Sequence, residues 1–209
     1  MKRNIYFLEL NHVMANQAKL PYSTGLIWSY CRTIKEINDN YNLDKWFWWR
    51  QETDEILEKI KDPYIVAFSC FVWNWNNNIE LAKKIKEKFP DCIIEFGGWH
   101  APMSDRSQGF FHKYPFVDIL AHGEGELIVA NILLEALKES PDFASVKGCS
   151  IPYRLVNDKN SLNHVIEHGL KVKEAQALQL SNQLDTFVTT PQERIEDLAS
   201  MPSPYLDGL

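Results

Sequence analysis

Short apolar runs alternate with amphipathic segments along most of the chain. Five runs have the length and composition of buried β-strands: residues 5–10, 44–49, 64–70, 92–96 and 117–121. Apolar residues recur at helical spacing in the segments that follow the strands: residues 22–37, 53–60, 76–89 and 126–137. Strands that alternate this regularly with helices favour βαβ units, a parallel sheet and right-handed crossovers.

We therefore predict an α/β fold that is doubly wound, in the flavodoxin-like or Rossmann-like manner, with a five-stranded parallel sheet in the order 2-1-3-4-5. The pattern changes after Pro141, where a strand or hairpin is expected over residues 147–156 and a short helix over residues 191–198. The predicted organisation is an α/β domain over residues 1–145 and an extension over residues 146–209, which serves as a hairpin and connector.

Composition and charge narrow the classes of partner. The chain is 45% apolar and 24% charged, as expected of an ordinary globular protein. Its net charge is −6 and its 22 basic residues are scattered, so no basic stripe is available for nucleic acid. No apolar run approaches the roughly 20 residues that cross a bilayer, and Glu9 interrupts the N-terminal run, which is too short for a signal peptide. We expect a cytoplasmic protein with no nucleic-acid or membrane partner.

The four cysteines are far apart and form neither a CxxC nor a CxxxCxxC group. Their spacing therefore indicates neither a zinc site nor an iron-sulfur site. Cys70 and Cys92 fall in predicted strands, where we expect them to be buried as small apolar side chains.

Two glycine-containing loops follow predicted strands. Ligands of a doubly wound sheet bind at the carboxyl ends of the strands, near the switch point between strands 1 and 3. Gly97 and Gly98 follow strand 4, where they either let a ligand approach the backbone or form a tight turn. Residues 122–126, His-Gly-Glu-Gly-Glu, follow strand 5 and begin a helix, so they either present backbone amides to a ligand or cap the helix with a carboxylate.

The other two loops are rich in aromatic or amide side chains. Residues 69–78 contain Trp73 and Asn74 among further aromatics and amides, which suits a flat ligand that needs a surface and hydrogen bonds. Buried tryptophans that pack the loop would explain the same composition. The loop after strand 1 is longer than a simple βα turn, and its His12 is either a metal ligand or a structural residue.

Together these loops resemble the N-terminal domain of cobalamin (B12)-binding radical SAM enzymes. The most specific match is the segment over residues 118–126, Asp-Ile-Leu-Ala-His-Gly-Glu-Gly-Glu, which follows the family's pattern of an aspartate, two hydrophobic residues, two variable positions and Gly-Glu-Gly-Glu. The Leu-Pro-Tyr-Ser-Thr-Gly entry to the first helix, residues 20–25, also resembles the family, and residues 198–205 are similar to its segment before the radical SAM barrel. The resemblance covers nearly the whole chain.

The resemblance implies a cobalamin site. Its tail slot, which takes the nucleotide tail of cobalamin, would be lined by small residues: Ser69, Gly97, Gly98 and Gly123. Phe71, Trp73 and His100 would lie at the mouth of the slot, beside Asn74. Glu124 and Gly125 would shape the adjoining turn. The wider B12-binding element Asp-x-His-x-x-Gly is missing, so His12 is a nearby histidine but a poor match to a cobalt ligand.

The implied function is that of a cobalamin-binding module of a radical SAM protein, a methyltransferase or another enzyme of radical modification. The module alone would catalyse nothing, because the 4Fe-4S cluster and S-adenosylmethionine need a CxxxCxxC loop on a radical SAM domain, present in cis or in trans. An alternative is a cofactor-free domain of the same fold that recruits a substrate or another protein. A flavodoxin-like flavin or nucleotide binder is disfavoured, since no Ser/Thr-rich phosphate loop directly follows strand 1.

Overall fold

The computed structural model describes residues 1–12, 20–156, 186–206 and 208. The described residues form seven strands: β1 Arg3–Asn11, β2 Tyr41–Trp49, β3 Pro63–Ser69, β4 Ile93–Gly97, β5 Ile119–Ala121, β6 Cys149–Pro152 and β7 Thr186–Val188. They also form six α-helices: α1 Tyr22–Thr33, α2 Lys35–Asn40, α3 Thr53–Lys59, α4 Trp75–Lys88, α5 Phe110–Lys113 and α6 Gly125–Glu135.

All seven strands belong to one sheet, in the order β2-β1-β3-β4-β5-β6-β7. Neighbouring strands from β2 to β5 are parallel, whereas β5 with β6 and β6 with β7 are antiparallel. The α/β class is confirmed, and the parallel strands follow the predicted order 2-1-3-4-5. The sheet has seven strands rather than five, however, and it is not purely parallel. The strand expected over residues 147–156 is present as β6, whereas β7 spans only three residues, which is too short for a periodic pattern to reveal it.

The predicted helix over residues 22–37 is interrupted at Ile34, whose extended backbone (φ −88°, ψ 114°) separates α1 from α2. The change of direction allows Ile37 to join the core, where it is fully buried. The predicted helix over residues 191–198 is wrong. The chain there is irregular up to a single 3₁₀ turn at Leu198–Ser200, and the backbone N–H of Ile195 donates to a Glu124 carboxylate oxygen instead of to a helical carbonyl.

Helices cover both faces of the sheet. One hydrophobic cluster joins α1 and α6 to one face through residues such as Trp28, Ile65 and Ile132. The other joins α3, α4 and α5 to the opposite face through residues such as Ile56 and Leu81. The helix that follows β1 lies on one face of the sheet, and the helix that follows the neighbouring strand β3 lies on the other. The loops after these two strands therefore diverge and leave a crevice at the carboxyl ends of the strands.

β6 and β7 come from the predicted extension yet continue the sheet of the first 145 residues. The proposed boundary between residues 145 and 146 stays a prediction. Among the described residues, no helix has the length and hydropathy needed to cross a membrane. Cys70 and Cys92 are buried, as predicted, and so are the other two cysteines, Cys31 and Cys149, all four as free thiols.

Candidate functional site

A cavity of about 310 Å³ lies between the sheet and the N-terminal halves of α1 and α6. Strands β1, β3, β4 and β5 all contribute to its wall, with Phe7, Ala67, Glu95 and Ala121 among the lining residues. The helices contribute four side chains that are not charged, Ser23, Thr24 and Ile27 from α1 and Val129 from α6. The cavity reaches the carboxyl edge of the sheet, which is where a doubly wound fold binds its ligand.

Seven of the ten residues predicted to bind the cofactor line this cavity: Ser69, Phe71, Gly97, Gly98, Gly123, Glu124 and Gly125. They come from the carboxyl ends of β3 and β4, from the loops after β3, β4 and β5, and from the first residue of α6. They lie up to 56 positions apart in the sequence but converge at one edge of the sheet. The other three, Trp73, Asn74 and His100, lie near the cavity without lining it. The function of all ten in binding stays a prediction.

Glycine is required at positions 97 and 98, at the end of β4, for two different structural reasons. Gly98 has a φ of +90°, and a Cβ added there would lie 3.0 Å from both the backbone N and O of Cys70. The turn itself therefore requires glycine at position 98, as the tight-turn alternative held. Gly97 has no such φ, but a Cβ there would lie 3.0 Å from Glu95 Oε1 inside the cavity. Glycine at position 97 keeps the cavity open.

Asn74 stabilises the conformation of the loop after β3 by hydrogen bonds to its backbone. It is 2% exposed, its Nδ2 donates to the carbonyl of Ser69 at 2.9 Å, and its Oδ1 accepts from the N–H of Phe71 at 2.8 Å. These bonds position Ser69 and Phe71, both of which line the cavity. Asn74 thus acts on the site through the loop rather than by direct contact.

The aromatic residues of this region divide into two groups. Trp73 stacks on Phe71 with ring centroids 4.6 Å apart and an interplanar angle of 4°, and the pair lies at the rim with Trp73 43% exposed. Trp75 instead packs edge-on against Phe96 and His100. The alternative in which tryptophans pack the loop therefore holds for Trp75, while Trp73 presents a surface to solvent.

The loop after β5 brings two helices together. Gly123 has a φ of +107°, and Gly125 is the first residue of α6, where a Cβ would lie 2.6 Å from Ile27 Cδ1 on α1. Glu124 occupies the N-cap position of α6 without capping it, because its side chain accepts no hydrogen bond from the helix. Its Oε2 instead accepts from the N–H of Ile195 at 2.8 Å, so the capping alternative is wrong for Glu124.

Two further residues of the segment over positions 118–126 are structural. Asp118 is 8% exposed, and its Oδ2 accepts from the N–H of Ile94 at 2.9 Å and from Lys86 Nζ at 2.8 Å. His122 Nε2 lies 2.7 Å from Ser150 Oγ on β6. Asp118 ties the start of β5 to β4, and His122 ties its end to β6.

Glu95 is a cavity residue that sequence reasoning missed. It is 4% exposed, and within the described part of the chain its carboxyl group has no hydrogen-bond partner. Burial raises the pKa of this carboxyl to about 8. The available signal was a single charged residue inside the apolar run over residues 92–96, since a charge in a buried strand is rare unless it is paired or functional.

His12 is exposed at the end of β1, where its Nε2 lies 3.5 Å from Arg50 Nη1. It does not line the cavity, and its assignment as a cobalt ligand stays a prediction. Most of the loop that follows it, residues 13–19, lies outside the described residues. Within the described ranges, no three His, Cys, Asp or Glu side chains come together as a metal site.

A mostly parallel sheet with helices on both faces, and a glycine-rimmed cavity at its carboxyl edge, define a doubly wound α/β domain with a cavity where such folds bind ligands. No protein-family model matches the chain. Curated relatives do match it, and the two described here are both methyltransferases. The chain is 35% identical over 149 residues to the cobalamin-dependent radical SAM methyltransferase TokK of Streptomyces tokunonensis, which covers 71% of this chain and 21% of that protein.

It is also 30% identical over 207 residues to 2-(S-pantetheinyl)-carbapenam-3-carboxylate methyltransferase of Streptantibioticus cattleyicolor, over 99% of this chain and 25% of that protein. A solved structure, that of the cobalamin-dependent S-adenosylmethionine radical enzyme OxsB with aqua-cobalamin bound, shares the fold with a TM-score of 0.51 and 18% identity. That match covers 72% of this chain and 21% of the OxsB chain.

The chain belongs to the family of cobalamin-dependent radical SAM proteins, and the resemblance seen in the sequence is confirmed. It spans only about a fifth to a quarter of the length of the curated relatives that it matches.

Proposed function

We propose that this chain is a cobalamin-binding module and that the cavity between the sheet and helices α1 and α6 takes the nucleotide tail of the cofactor. The observation that supports this most directly is the convergence of Ser69, Gly97, Gly98 and Gly123 on one cavity. Residues without bulky side chains leave room for a ligand to approach the backbone.

The size of the cavity fits part of the cofactor. Ligand pockets are typically about 300–1,000 Å³, and this cavity is close to the lower limit at about 310 Å³. It has room for the nucleotide tail but not for the corrin ring, which would therefore lie outside the mouth. Exposed apolar side chains are available there, since Trp99 is 94% and Val72 is 71% exposed, and Trp73 stacks on Phe71 beside them.

Cobalamin bound at this site would supply a carrier for the group that a methyltransferase transfers. The residues of this chain would hold the cofactor: the glycines by leaving space, and Phe71 and Trp99 by covering apolar surface. We infer that the chain alone is not catalytic, because its four cysteines are buried and dispersed and cannot gather around a 4Fe-4S cluster. A radical SAM domain, in cis or in trans, would supply the cluster and S-adenosylmethionine.

The proposal is tested by incubating the purified chain with hydroxocobalamin, removing unbound corrinoid by desalting and recording the visible spectrum. Retention at close to one equivalent supports a cobalamin-binding module. A protein that is folded by circular dichroism but retains no corrinoid would contradict it, and would favour the alternative of a cofactor-free domain that recruits a substrate or another protein through its exposed aromatic rim.

Filling the cavity should abolish retention. Ala121 lines the cavity from β5, so Ala121→Leu puts three more carbons into the space assigned to the tail while leaving the fold intact, since filling a cavity tends to stabilise a protein. We expect corrinoid retention to fall at least tenfold in the desalting assay.

The matched control is Ala199→Leu, the same substitution at an exposed position away from the cavity. It should retain corrinoid like the original chain. Equal retention by both variants would show that the tail does not occupy this cavity.

A further inference from the structure

Glu95 places a carboxyl group inside the cavity. Its register neighbours across the sheet are Ala67 on β3 and Ile119 on β5, so it sits in the middle of the sheet among apolar side chains. It lines the cavity and is 4% exposed. A side chain at Gly97 would crowd Glu95 Oε1, which would lie 3.0 Å from the new Cβ. The glycine therefore leaves the carboxyl oxygen open to the cavity.

A second buried glutamate on the same face shows how such a group is normally satisfied. Glu9 on β1 is 6% exposed, and its Oε2 accepts hydrogen bonds from Ser23 Oγ at 2.7 Å and from Thr24 Oγ1 at 3.0 Å. Among the described residues, Glu95 has no such donor. A buried polar group without a partner is costly, and a ligand with a complementary atom would remove that cost.

The surroundings of Glu95 favour the neutral carboxyl group. The other charged residues that line the cavity are acidic: Glu124 at the N-cap of α6 and Glu126 in its first turn. Glu9 on β1 accepts hydrogen bonds from Ser23 and Thr24 of α1. The thiols of Cys70 and Cys149 are buried, which raises their pKa values and keeps them neutral. No lysine, arginine or histidine among the described residues lines the cavity. Burial without a cation raises the pKa of Glu95 to about 8, so it is mainly protonated at pH 7.

A protonated carboxyl in an apolar cavity carries one O–H donor that must find an acceptor. A hydrocarbon ligand would leave that donor unsatisfied, and an anionic ligand would meet the neighbouring carboxylates of α6. A cationic ligand would require Glu95 to be ionised, and the burial of Glu95 disfavours the ionised form. The ligand that fits is a neutral group with an acceptor atom, and a heteroaromatic ring nitrogen has this chemistry.

We infer that Glu95 recognises the base at the end of the ligand tail by donating a hydrogen bond to a neutral ring nitrogen. This inference rests on the proposed function, since the nucleotide tail of cobalamin ends in a benzimidazole whose ring nitrogen is free when it does not bind cobalt. Glu95 is then the residue that selects corrinoids with a heteroaromatic base over corrinoids without one.

The test compares the affinities of hydroxocobalamin and of cobinamide, a corrinoid that lacks the nucleotide base, by titration at pH 7. Glu95→Leu removes the donor, and we expect it to weaken cobalamin binding about tenfold, as the loss of a buried hydrogen bond predicts, while cobinamide binding changes less than about twofold. Glu95→Gln keeps an N–H donor and should stay within about threefold of the original affinity for cobalamin.

Dependence on pH gives a readout that a structural role would not produce. Only the protonated form of Glu95 donates, so cobalamin affinity should fall as the pH rises through about 8. Glu95→Gln should abolish this dependence because an amide does not titrate. Glu87→Gln, on the exposed face of α4, is the matched control and should retain it.

The outcomes separate the two proposals. If Glu95→Leu is folded and binds cobalamin as well as the original chain does, or if it loses both corrinoids equally, the recognition of the base by Glu95 is wrong while a cobalamin module still stands. If the original chain binds neither corrinoid, both proposals are wrong.

Discussion

Gly98 lies against the backbone of Cys70 in a conformation that favours glycine. Its φ of +90° is one that residues with a Cβ rarely adopt, and a Cβ would lie 3.0 Å from backbone atoms of Cys70. The same backbone receives a hydrogen bond, since the N–H of His100 donates to the carbonyl of Cys70 at 2.9 Å. The glycine thus sets the path of the loop that carries both His100 and the exposed Trp99.

We predict that Gly98→Ala destabilises the protein by about 2–4 kcal/mol, from the strained backbone and the crowding of Cys70 together. Gly109→Ala is the matched control, since Gly109 also has a positive φ, +80°, but nothing within 4 Å of its added Cβ. It should cost only the backbone strain, about 1–2 kcal/mol. Urea unfolding measures both, and equal losses would show that the contact with Cys70 has no energetic effect.

At the scale of elements, a buried polar network joins the antiparallel strands to the parallel sheet. His122 Nε2 at the end of β5 lies 2.7 Å from Ser150 Oγ on β6, and Ser150 Oγ donates to Ser107 Oγ at 3.2 Å. The hydroxyl of Thr186 on β7 donates to the carbonyl of Ser107 at 2.9 Å. Three strands and the loop after β4 therefore share one set of hydrogen bonds.

This network predicts a dependence of stability on pH. Burial lowers the pKa of His122 to about 4, whereas an unfolded histidine titrates near 6.5. The unfolded chain therefore binds more protons between these values, so stability is complete above pH 6.5 and declines as the pH falls toward 4. We expect this residue to account for a loss of up to about 2 kcal/mol between pH 7 and pH 5.

The measurement is urea unfolding of the original chain and of His122→Gln at both pH values. Glutamine is able to bond Ser150 without titrating, so the variant should lose less stability on acidification. Glu95 acts in the opposite direction, because its raised pKa favours the folded state as the pH falls from 8, but its contribution is common to both proteins. Parallel losses in the two proteins would assign the acid sensitivity to other groups.

At the scale of the whole molecule, β7 makes the segment after residue 185 part of the main core. Phe187 is 3% exposed and belongs to the same hydrophobic cluster as Trp28 of α1 and Ile132 of α6. The final segment also contacts the first helix, since Tyr205 stacks on Tyr22 with ring centroids 5.9 Å apart. Within the described residues of the predicted extension, β7 and Tyr205 are thus packed against the α/β domain.

We therefore expect Phe187→Ala to destabilise the entire chain by about 3–5 kcal/mol, as a cavity in a shared core would, and unfolding to remain a single transition. The control is Leu198→Ala, at a side chain that is 74% exposed, with an effect within about 0.5 kcal/mol. Thermal unfolding followed by circular dichroism distinguishes the cases. Two separate transitions, or a negligible effect of Phe187→Ala, would support independent units over residues 1–145 and 146–209.

The candidate site was predictable where local sequence restricts the backbone. Gly98 and Gly123, which adopt positive φ, stood out because a glycine just after a strand often supplies a backbone conformation that residues with a Cβ rarely adopt. Asn74 was found as well, but its action on the loop through Ser69 and Phe71 was not, since that depends on which hydrogen bonds form after folding. Glu95 was missed, although its charge interrupts an apolar run, because its meaning lies in the helices and strands that surround it.

By itself, the sequence determined the α/β class, the five parallel strands and most of the helices, because the periods of apolar residues follow from local backbone geometry. The motif over residues 118–126 indicated the family, which the curated relatives confirmed. Only the tertiary structure decided the cavity and the antiparallel pairing of β6 and β7. The reason is physical: β5 and β7 are separated by more than 60 residues in sequence, and neither their place in one sheet nor the isolation of the Glu95 carboxyl is expressed in any local pattern.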